Sequence, residues 1–70
     1  MSRNLHGRLE ALVAEMVTGG IRMDEAVRAL ETHFLRQVLE RHNGNQSRAA
    51  AALGMHRNTL RRKMRGCGLL

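Results

Sequence analysis

Apolar residues in this chain recur every three or four positions and almost never alternate, a pattern of helices rather than strands. Leu5, Leu9, Leu12, Val13, Met16 and Val17 fall on one stripe and predict a helix over residues 5–18. Gly19-Gly20 should stop it, because glycine enters the left-handed cap conformation without a Cβ clash. A second, longer helix is predicted from Met23 to about His42, with Ala26, Val27, Leu30, Phe34, Leu35, Val38 and Leu39 as its apolar stripe. Asp24 and Glu25 suit the positive end of its dipole, and Asn43-Gly44 ends it.

The remaining third of the chain carries two shorter helices. Arg48 to Leu53 makes the first, N-capped by Ser47 or Asn45, and Gly54 breaks it. Arg57 to Arg65 makes the second, with Leu60 and Met64 four apart on its inward side. His56 stands at the N-cap of that helix, although histidine is not among the preferred caps. It is either a tolerated poor cap or an imidazole kept to meet a phosphate or base edge. Residues 1–4 are expected to be a loose end, and Leu69-Leu70 to pack back or fray. The fold class is therefore all-α, four helices in a single domain over residues 1–70.

Size adds a constraint. A chain of 70 residues buries only about 60% of its unfolded surface and usually needs a staple or a partner. The single cysteine, Cys67, allows no internal disulfide. His6, His33, His42 and His56 are scattered with no i, i+4 pair, so neither a metal site nor a cofactor is predicted. Self-association is the remedy left. Leu9, Leu12, Val13, Met16, Val27, Leu30, Phe34 and Val38 are the predicted dimer core.

Charge then points to a partner. Residues 1–40 hold five arginines against all six acids, a balance of −1. Beyond them, Arg41, Arg48, Arg57, Arg61, Arg62, Lys63 and Arg65 stand without a single acid, a balance of +7. A basic end beside a near-neutral body fits a polyanion, most often nucleic acid.

Two short helices joined by a glycine turn make a helix-turn-helix. Ala49 and Ala50 allow the helices to cross closely, and Leu53 and Met55 fill the space beneath the turn. The second helix of such a unit enters the DNA major groove. Arg57, Asn58, Arg61 and Arg65 lie on the open side of that helix, where arginine can bond guanine O6 and N7 bidentately and Asn58 can read a base edge or contact phosphate. Thr59, Arg62 and Lys63 sit on its flanks and suit phosphate, with Arg41 and Arg48 as weaker phosphate candidates.

The segment Gly44–Gly68, beginning GNQSRAAAALGMHRNTLRRKM, resembles the C-terminal helix-turn-helix of the Fis (factor for inversion stimulation) family. The same unit closes enhancer-binding activators of the nitrogen regulatory protein C type. Gly44-Asn45, Ser47, Ala49-Ala50, Gly54, Arg57, Thr59-Leu60 and Lys63 match the family pattern without a gap. Over the long helix before it the match is looser.

The resemblance implies that Arg57 and Arg61 approach base edges, while Asn45, Ser47, Thr59, Arg62 and Arg65 lie near phosphates. It also implies a homodimer whose first two helices, within residues 5–43, form an intertwined four-helix bundle, with the helix-turn-helix at 44–68. A further implication is a duplex that bends toward the protein. Compared with Fis, the stretch before the first helix is short, so the β-hairpin arms of that family are not expected here, and His56 stands where Fis has an asparagine.

The function expected is therefore sequence-preferring binding of double-stranded DNA by a homodimer, as a transcriptional regulator or a nucleoid-associated bending protein. The alternatives are the excised DNA-binding domain of a larger activator and a helical protein-interaction module with a basic tail. Other transcription or recombination proteins are possible further partners. An enzyme is not expected, since no paired carboxylates, activated nucleophile or phosphate-cradling loop occurs. With no apolar run of membrane length, no export signal and one cysteine, a cytoplasmic (nucleoid) location is expected.

Overall fold

A computed structural model describes residues 3–70 and shows four α-helices and, among those residues, no strand. They are α1 (Arg3–Thr18), α2 (Met23–Arg41), α3 (Gln46–Leu53) and α4 (Arg57–Gly66). Of the loose end expected at residues 1–4, Met1 and Ser2 lie outside the described residues, whereas Arg3 and Asn4 already belong to the first turn of α1.

All four helices end the same way. In each, the amide just after a left-handed residue reaches back to a carbonyl of the last turn: Ile21 to Met16, Gly44 to Leu39, Met55 to Ala50 and Leu69 to Met64, at 2.8–3.0 Å. This is the Schellman arrangement, which satisfies carbonyls that a helix end leaves orphaned. It demands a left-handed residue after the last helical turn. Asn43 supplies that conformation after α2 (φ 53°), and Gly54 supplies it after α3 (φ 72°). A Cβ on Gly54 would touch nothing within 4 Å, so only backbone strain, roughly 1–2 kcal/mol, opposes a side chain there. Met55 and Leu69, the residues just beyond two of these ends, pack on the core, so the chain at Leu69 folds back while Leu70 is exposed.

The core joins the last three helices. Leu35 of α2, Ala49 and Ala50 of α3, and Leu60 and Met64 of α4 are buried, with Val38, Leu39, Leu53, Met55, Cys67 and Leu69 packed around them. Ala49 is 0% exposed, so α3 presents only a methyl group to its neighbours there and lets them approach closely. Leu60, also 0% exposed, is the largest wholly buried side chain among the described residues.

Helix α1 takes no part in this core: none of its residues is buried, and Leu5, Leu9, Leu12 and Val13 are 41–49% exposed. Helix α2 has two apolar faces. Leu35 and Leu39 meet the core, while Val27, Leu30 and Phe34 stay open to solvent. Phe34 and Leu35 are adjacent in sequence and so about 100° apart around the helix. Val38 lies between the faces, half-buried on the core and lining a shallow groove with Leu30, Phe34 and Arg41.

Leu60→Ala should leave a cavity that α3 and α4 cannot close. The expected loss is about 2–5 kcal/mol, read as a lower urea midpoint with an unchanged slope.

Candidate nucleic-acid interface

The α3–turn–α4 unit is built from its caps outward. Of the two caps considered, Asn45 is the one used: its Oδ1 accepts from the Arg48 amide at 3.0 Å. Ser47 is instead an exposed residue in the first turn of α3. At the start of α4, His56 is a functioning cap rather than a poor one. Its Nδ1 accepts from the Asn58 amide at 3.1 Å, the role an asparagine oxygen would fill.

Leu60 and Met64 anchor α4 by its inner side, as their spacing predicts. This fixes where its polar residues emerge. Arg57, Asn58, Arg62 and Arg65 are exposed or nearly so on its outer side, and among the described residues the three arginines have no side-chain hydrogen bond or ion pair. Arg48 on α3 is likewise exposed. Arginine heads left this free can turn toward an incoming anion.

Two cations of α4 behave differently. Arg61 is half-buried, and its Nη1 donates to Oε1 of Gln46 at 2.8 Å. Lys63 reaches back to α2, where its Nζ lies 2.6 Å from Glu31 Oε2. The structure therefore places Lys63, a phosphate candidate by sequence, in a surface ion pair with α2. Thr59 is half-buried. Neither Gln46 nor Glu31 is legible as a partner from the sequence, because they stand 15 and 32 residues from the groups they hold.

The acids all precede residue 41, and none lies on α3 or α4. The surface of that unit is thus a field of one sign over a small rigid scaffold. Such a field draws in polyanions and concentrates them at the protein surface.

A family model described as bacterial regulatory protein, Fis family, matches residues 26–65, more than half of the chain. The chain belongs to the Fis family. It is 52% identical over 44 residues to a Fis-like DNA-binding protein of Xylella fastidiosa (strain Temecula1), a match covering 63% of this chain and 49% of that one. A Fis-like DNA-binding protein of Ralstonia nicotianae is 47% identical over 47 residues, covering 67% and 61%. One from Neisseria meningitidis serogroup A is 45% identical over 47 residues, covering 67% and 60%. The chain thus spans about half the length of the first of these relatives. No solved structure matches it. The Fis-family region begins inside α2 and runs almost to the end of α4, so it takes in all five buried core residues and leaves out α1.

The His56 cap should be measurable by itself. His56→Ala is expected to cost about 0.5–2 kcal/mol of stability by thermal melting, whereas His56→Asn, which keeps an acceptor, should retain it.

Proposed function

We propose that this Fis-family chain is a homodimeric regulator that binds double-stranded DNA, with α4 lying in the major groove. The observation that carries the reading is the outer side of α4. Arg57, Asn58, Arg62 and Arg65 stand on a helix pinned from behind by Leu60 and Met64, and no carboxylate shares the α3–α4 unit. A major groove about 12 Å wide admits an α-helix, and exposed arginines can bridge to phosphates or to guanine edges.

In this reading Arg57, Asn58 and Arg61 contact bases. Asn45, Ser47, Arg48, Thr59, Arg62 and Arg65 contact the backbone. Lys63 contributes to the phosphate field only if it leaves Glu31. The relatives' description as DNA-binding proteins supports DNA as the partner.

The dimer rests on a separate observation. The stripe of α1 and the outer face of α2 (Val27, Leu30 and Phe34) are exposed together, and a second copy would cover both. Two copies would also present two recognition helices, as two half-sites on a duplex require. Curvature of the DNA toward the protein belongs to this reading. The family's description as regulatory proteins supports a regulatory role, in transcription or in organising the nucleoid, and no single residue carries it.

Binding to duplexes, followed by fluorescence anisotropy across a range of salt, tests the reading. Arg62→Ala should weaken every duplex alike and flatten the slope of log K against log salt by about 0.9 for each phosphate that is no longer neutralised. Arg61→Ala should cost about 1–3 kcal/mol on the tightest site and relax base preference there. Salt-insensitive binding, or no binding to duplex DNA at all, would overturn it.

A further inference from the structure

Arg61 differs from the other arginines of α4. It is half-buried, and its guanidinium is already bonded, from Nη1 to Oε1 of Gln46 at 2.8 Å. Gln46 is the first residue of α3, and its backbone is tied in place by the neighbouring Asn45 cap on Arg48. Helix α3 is in turn locked to α4 through Ala49, Ala50 and Leu60. The acceptor therefore sits on a rigid part of the chain.

We propose that Gln46 is a positioning residue for Arg61, holding its guanidinium in the orientation that reads a base. This rests on the DNA-binding reading above. A guanidinium has five N–H donors in a planar fork. One bond from Nη1 leaves the Nε–Nη2 edge whole, and that edge can make two parallel hydrogen bonds to guanine O6 and N7. A free arginine loses rotamer freedom when it binds, whereas Arg61 has lost much of it beforehand. Arg62 and Arg65 have no such partner among the described residues, which suits contacts to phosphates that tolerate several geometries. The two kinds of arginine on one helix thus differ in what holds them before DNA arrives.

A double-mutant cycle separates this role from others. The wild-type chain, Gln46→Ala, Arg61→Ala and the double variant are titrated with two duplexes. One carries the tightest site that the wild-type chain selects from random sequence, and the other is a scrambled duplex of equal length and composition. Gln46→Ala is expected to weaken the selected site about threefold to tenfold for each recognition helix engaged. Scrambled binding and the melting temperature should stay as in the wild type. In the Arg61→Ala background, the same substitution should have no further effect.

Equal losses on both duplexes, or an undiminished loss in the Arg61→Ala background, would overturn the proposal, since Gln46 would then meet DNA itself. No effect of Gln46→Ala on the selected site would overturn it as well. If Arg61→Ala leaves selected-site affinity intact, the base-reading role of Arg61 fails first and the proposal falls with it.

Discussion

An apolar helix face with nothing to cover it within one chain is the constraint around which this protein is organised. Helix α1 carries a row of leucines and valines at helical spacing, yet none of its residues is buried. Isolated helices of this length are marginal in water, because most helix stability in proteins comes from packing an apolar face. With one cysteine and five buried core residues among those described, the helix-turn-helix core gives α1 no cover, and this is the ground for the proposed second copy. The proposed dimer answers that constraint, and it explains why α2 is apolar on two sides. Leu35 faces its own helix-turn-helix, and Phe34, the residue before it, faces away.

The helix-turn-helix is the opposite kind of structure, rigid and complete within the chain. Small residues on α3, a left-handed glycine in the turn and a wholly buried leucine on α4 set the angle between the two helices. Charge is sorted along the same division. Acids stay on α1 and α2, and the charged residues of α3 and α4 are cations alone. The Glu31–Lys63 pair is where the two halves touch electrostatically, with side chains 35% and 42% exposed. An exposed pair of this kind stabilises little, about 0–1 kcal/mol at most. Its effect is to turn one cation of α4 inward while Arg57, Arg62 and Arg65 remain outward.

Much of the fold was legible in the sequence because helices are local. The stripes and the glycine and asparagine stops place all four elements to within a few residues, and Leu60 and Met64 face the core as their spacing requires. The departures also have physical causes. Histidine ranks low as a cap in general, yet at His56 a ring nitrogen lies where the Asn58 amide needs an acceptor. Ser47 and Asn45 are equivalent candidates until the start of α3 is known to one residue. The cation-rich face was legible as composition. The separate fates of Arg61 and Lys63 were not, because each depends on a partner brought near only by tertiary packing.

Sedimentation equilibrium combined with circular dichroism over a concentration series tests the central claim most directly. The account predicts a dimer at micromolar concentration, with helix content that falls as dilution dissociates it. A monomer that keeps the helix content of all four helices at the lowest concentration would contradict it, for α1 would then be stable with its leucines in water.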